Sequence, residues 1–143
     1  VLAYVNRGVA HASIGKLQDA FNDFEEAIRL NPKDKAHMAL AYSGRGRTYD
    51  ELGESEKAMQ DFDMAIQLNP RLVGVYINRG IAYIAEGRYE NALEDFDQAI
   101  QIDPDNARYY YNRAFDYREL RQWSLSAADE IKACSLDNEY CNY

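Results

Sequence analysis

Between Leu17 and Ala27, Leu17, Ala20, Phe24 and Ala27 fall three and four apart, and apart from Phe21 the gaps are filled by polar residues. That interval places them on one stripe of an α-helix. The stripe returns as Ala58, Phe62 and Ala65, and again as Ala92, Phe96 and Ala99. Ahead of each runs a second stripe of aromatic and small residues, Tyr4, Gly8 and His11, then Tyr42, Gly46 and Tyr49, then Tyr76, Gly80 and Tyr83, and a fourth copy of this second stripe follows at Tyr110, Ala114 and Tyr117. Gly15, Gly53 and Gly87 stand between paired stripes, where one helix must stop and another begin. The pattern predicts helices over 2–14 and 17–30, 36–52 and 55–68, 72–86 and 89–102, and 106–120 and 123–135.

These pairs are copies of one another. Asn6-Arg7-Gly8 recurs as Gly44-Arg45-Gly46, Asn78-Arg79-Gly80 and Asn112-Arg113-Ala114, with a period of 34 residues and a four-residue insertion around 33–38. The units are 1–34, 39–72, 73–106 and 107–140, and the first three close on Asn31-Pro32, Asn69-Pro70 and Asp103-Pro104. A single helical hairpin of this size cannot cover its own apolar face, so each must stack on the next, and the expected architecture is an open helical solenoid. The fourth unit carries Ser126, Glu130 and Asn138 where the others have Ala, Phe and Pro, as a terminal repeat facing water would.

The columns resemble the tetratricopeptide repeat, whose pattern runs aromatic, Leu-Gly, Tyr, Ala-x3-Phe and Pro. Departures are the Arg beside each glycine or Ala114, and His11 in the tyrosine column. The resemblance implies one all-α domain over 1–143, a right-handed superhelical solenoid of helix-turn-helix hairpins. It also implies that the first helices line a concave groove where a peptide or protein partner lies. Carried over residue by residue, the peptide-binding set is Val5, Asn6, Val9, Arg47, Ile77, Asn78, Ile81, Arg108, Tyr111, Asn112 and Phe115. So many apolar side chains on such a face suggest that something covers them. Asn6, Asn78 and Asn112 share a column, and an amide offers donors and an acceptor to the backbone of an extended peptide whatever its side chains.

Arg7, Arg45, Arg79 and Arg113 are matched by Asp23, Asp61, Asp95 and Asp129, which reads as an ion-pair ladder between paired helices. The Asp-x-Asp pieces lack the glycine and closing Glu of a calcium loop, so no metal site is expected. Asp103-Pro104-Asp105-Asn106 reads instead as a helix stop followed by caps. His11 reads as a packing residue, and neither histidine has a nucleophile at catalytic spacing. The chain is therefore read as a non-enzymatic interaction module without a cofactor. The alternatives are a self-associating structural segment, as a homo-oligomer, or the targeting arm of a larger enzyme.

Charge narrows the partners. With 24 acidic against 16 basic residues and a net charge of −8, neither nucleic-acid phosphates nor anionic membrane surface is an expected partner. No apolar run approaches the length of a membrane span. The cytoplasm is the favoured compartment, and the start at Val1 within a helical pattern suggests a piece of a longer protein. Cys134 and Cys141 are too few for a disulfide framework and read as structural or idle thiols, with a local C-terminal disulfide as the alternative.

Overall fold

A computed structural model describes residues 1–30 and 33–141. Its helices are α1 (Leu2–Ser13), α2 (Leu17–Arg29), α3 (Lys35–Glu51), α4 (Ser55–Leu68), α5 (Val73–Ala85), α6 (Tyr89–Ile102), α7 (Ala107–Glu119) and α8 (Trp123–Leu136). A short 3-10 turn, Asn138–Tyr140, follows α8 and was not anticipated from the periodicity. The expected stop at Asn31-Pro32 lies outside the described residues. The four-residue insertion becomes one added helical turn: α3 has 17 residues, whereas α5 and α7 have 13 each. Asp34 caps that turn by accepting a hydrogen bond from the Ala36 backbone N–H at 2.8 Å.

The turn inside each hairpin has one design. Gly15, Gly53 and Gly87 have φ of 75°, 79° and 71°, the left-handed region that favours glycine. In each, the residue after the glycine donates its N–H back to the carbonyl of the column residue His11, Tyr49 or Tyr83. The fourth hairpin makes the same turn with Arg121 at φ 58°, and Gln122 donates to the Tyr117 carbonyl.

The chain divides into two compact units, Val1–Asn78 and Arg79–Tyr143. In the first, Val5, Ala20, Phe24, Ala27 and Ala41 form a core cluster joined by Tyr4, Ala12 and Ile28. Phe24 and Phe62 are fully buried, each worth about 3 kcal/mol of transfer free energy. The small columns exist to admit these rings: a Cβ on Gly8 would stand 2.9 Å from Phe24, and one on Gly46 2.9 Å from Phe62. Hairpins in this unit meet through α2 and α3, with Phe21 edge-on to Tyr49 at 5.2 Å and Arg45 near Glu25 at 3.9 Å.

In the second unit Gly80 faces Phe96 as Gly46 faces Phe62. Ala114 can carry its methyl because Glu130 replaces the phenylalanine, and the space is bridged by polar bonds. Ser126 donates to the Ala114 carbonyl at 3.0 Å, and Arg118 pairs with Glu130 at 2.6 Å. Tyr110 donates its hydroxyl to the Pro104 carbonyl at 3.0 Å, which ties the start of α7 to the preceding linker; in the first unit Tyr76 does the same to Pro70.

Candidate functional site: the first-helix faces

Arginine and aspartate columns tie the first helix of each hairpin to its second. Arg45 holds Asp61 with two bonds of 2.7 and 2.9 Å, Arg79 holds Asp95 at 2.9 and 2.7 Å, and Arg113 holds Asp129 at 2.7 and 2.8 Å. The guanidinium carbons of Arg45 and Arg113 also lie 5.5 to 5.7 Å from the tyrosine rings of both first-helix columns, where cation–π attraction adds to the pair. Arg7 pairs with Asp23 in the same way. Its bonds, with a further one from His11 Nδ1 at 2.9 Å, hold the Asp23 carboxyl below the usual range. His11 is therefore more than packing: with histidine in the second aromatic column, this hairpin binds its aspartate from two sides.

In the first unit, Val5, Val9, Ala12, Phe24, Leu40, Ser43, Gly44, Arg47 and Asn78 line a hollow of about 140 Å³. Four of the sequence-derived site residues, Val5, Val9, Arg47 and Asn78, thus come together. Val5 is also part of the core, Val9 is exposed, and Arg47 is exposed with its guanidinium bonded to Glu51 at 2.9 Å. Asn6 is exposed and lies outside the residues lining this hollow, whereas Ile77 is buried. Gly44 interrupts the asparagine column for a physical reason: a Cβ there would collide with the Phe24 ring, already backed by Gly8.

In the second unit Ile81, Arg108 and Tyr111 are exposed, and Phe115 is half-buried beneath the Arg118 guanidinium at 5.9 Å. Arg108 lines a separate, acidic cleft of about 290 Å³ with Asp103, Asp105, Asp137 and Tyr140. The Tyr111 ring packs against Tyr140 at 5.1 Å, and the Asn112 amide nitrogen is buried without a hydrogen-bond partner among the described residues. One turn further along α7, Asp116 is fully buried and neither carboxylate oxygen is hydrogen-bonded among the described residues. Burial, with a smaller contribution from Glu119, pushes its carboxyl up to about 7. Sequence reasoning missed Asp116, although its column, Ala10, Thr48 and Ala82, holds only small uncharged residues and marks it as the exception.

Among the described residues no helix is long and apolar enough to cross a membrane. Cys134 and Cys141 are joined in a disulfide, the alternative that sequence spacing ranked second. The 3-10 turn between them brings Cys141 back to α8, with Cα atoms 4.6 Å apart.

The family model for the tetratricopeptide repeat matches residues 1–34, 39–72 and 74–106, more than half of the chain. The chain belongs to the tetratricopeptide repeat family, and its fold class is that family's all-α solenoid of helical hairpins. The fourth hairpin lies outside the matched residues. No curated protein matches the sequence. Among solved structures it is similar to residues 41 to end of MamA from Desulfovibrio magneticus RS-1, at 20% identity and a TM-score of 0.79, covering 95% of this chain and 75% of that one. It is also similar to pilF of Pseudomonas aeruginosa, at 20% identity and TM-score 0.86, covering 95% of this chain and 60% of that one. A third is YrrB, described as a TPR protein with an unusual peptide-binding site, at 20% identity and TM-score 0.76, covering 96% and 69%. At these identities the likeness is one of fold.

Proposed function

We propose that this chain is a non-enzymatic protein-interaction module that takes a peptide segment of a partner on its first-helix faces. The observation that carries the reading is the hollow of the first unit. Val5, Val9 and Leu40 supply apolar wall there, while Ser43, Arg47 and Asn78 supply a few orienting polar groups. Peptide sites are built this way, with apolar pockets for side chains and amides for the backbone. The description of YrrB as peptide-binding supports the reading by analogy of fold.

The test is selection of a binding peptide from a displayed random library, followed by calorimetry on variants. Val9→Glu and the triple change of Asn6, Asn78 and Asn112 to Ala should each weaken that peptide at least about tenfold, the loss of about 1.4 kcal/mol. Unchanged affinity in both would reject the surface.

A second reading, self-association, is favoured by α8. Leu125 and Ile131 are exposed, Ile131 at 73%, at positions where the other hairpins carry Asp19, Lys57 and Asn91 or Glu25, Asp63 and Asp97. Trp123 on the same helix is 63% exposed. Light scattering over a concentration series should then show a dimer that Ile131→Lys dissolves; a monomer at every concentration rejects it.

A further inference from the structure

Cys134 occupies the column held by Ile28, Ile66 and Ile100, and Cys141 the column held by Val73 and Ala107. Where α6 meets α7 the equivalent pair is an ordinary apolar contact, with Ile100 packed on the cluster of Ala107, Tyr110 and Ala133. After α8 the same two columns are joined by a disulfide instead. What it secures is the single 3-10 turn Asn138–Tyr140, held otherwise by the Asp137 side chain accepting from Glu139 N–H and by short backbone bonds at Tyr140 and Cys141. So short a turn has little stability of its own. Its outer residue, Tyr140, packs on the α7–α8 core and lies 5.1 Å from Tyr111, one of the residues assigned to ligand contact above.

We propose that the Cys134–Cys141 disulfide is a redox latch that holds Tyr140 over Tyr111 and, when reduced, releases the turn and uncovers that part of α7. The latch regulates the first-helix face, so its consequence for binding rests on the peptide-module reading, although its mechanics do not. The reductant is a dithiol. One of its thiolates attacks the Cys141 sulfur, the Cys134 sulfur leaves and takes up a proton, and the second thiol closes the reagent's own disulfide as Cys141 departs as a thiol. Two electrons and two protons thus pass to the cysteine pair. Both cysteines are only partly buried, so the attacking sulfur can reach them.

The experiment is hydroxyl-radical footprinting of Tyr111, read by mass spectrometry, on the oxidised chain, on Cys134→Ser/Cys141→Ser, and on oxidised Tyr140→Ala. Hydrogen exchange over 137–141 is followed in parallel, with exchange in α1 to α4 as the folding control. Tyr111 labelling should rise at least about threefold in the double serine variant and in Tyr140→Ala, with faster exchange of the turn in the serine variant. Equal labelling of the oxidised chain and the serine variant overturns the latch, including the case in which Tyr140→Ala alone uncovers Tyr111. Failure of the peptide-module reading would show instead as undiminished peptide affinity in the Val9 and asparagine variants, and would leave this measurement unaffected.

Discussion

Asp116 is fully buried with neither oxygen hydrogen-bonded among the described residues, while the corresponding residue of every other hairpin is alanine or threonine. Its carboxyl is raised from an ordinary 3.8 to about 7, so the folded chain resists ionising it. Below about pH 4 the group is protonated folded or unfolded and no ionisation cost arises; from there up to about pH 7 the unfolded chain ionises while the folded chain holds its proton, and stability is lost. Asp116→Ala, which copies Ala82, should therefore stabilise the chain at pH 8 by about 2–4 kcal/mol more than it does at pH 4, where the ionisation part of the gap is gone. Denaturant titrations at the two pH values measure it, and a gap of constant size would show that burial of the charge is not the cause. Gly44 makes the complementary point about space. Gly44→Asn completes the asparagine column, yet it drives a Cβ into Phe24 and should cost about 1–3 kcal/mol by the same titration.

At the scale of the element, the hairpin turn and the ion-pair ladder are the two devices repeated in all four units. Three turns place glycine at the left-handed position and the fourth places Arg121 there, at φ 58°. A left-handed conformation costs a non-glycine residue about 1–2 kcal/mol, so Arg121→Gly should raise the melting temperature, whereas Gly53→Ala should lower it. The ladder is tested by Arg45→Ala. Asp61 is buried, and removing the guanidinium that makes two bonds to it should cost about 3 kcal/mol in a chemical melt. A loss near zero would mean that the aspartate finds water and that the tyrosines, not the pair, hold the hairpin.

For the molecule as a whole, the relevant quantity is its net charge of −8. Arg45, Arg79 and Arg113 are largely covered and their pairs are poorly screened, but the excess carboxylates are spread over exposed helix faces. Raising salt from about 0.02 to about 0.5 M should therefore relieve self-repulsion more than it weakens the ladder, and the calorimetric melting temperature should rise. A fall would show that exposed pairs such as Arg29–Glu26 and Arg47–Glu51 contribute more than the repulsion they offset.

Helix positions, hairpin turns and the Arg–Asp partners were legible because each depends on residues close in sequence or repeated every 34, and periodicity reports such local requirements directly. Eight predicted helices agree with the observed ones to within a residue or two at their ends. What needed three dimensions was the outcome of packing between distant side chains. Gly44 breaks the asparagine column because the Phe24 ring, twenty residues earlier, fills the space of its Cβ. Ile77 turns inward, Asp116 is enclosed, and Tyr140 lies on Tyr111 because the chain after α8 folds back far enough for Cys141 to meet Cys134. A column states which residue type a position carries; burial and partner are properties of what surrounds it, and only the folded chain supplies the surroundings.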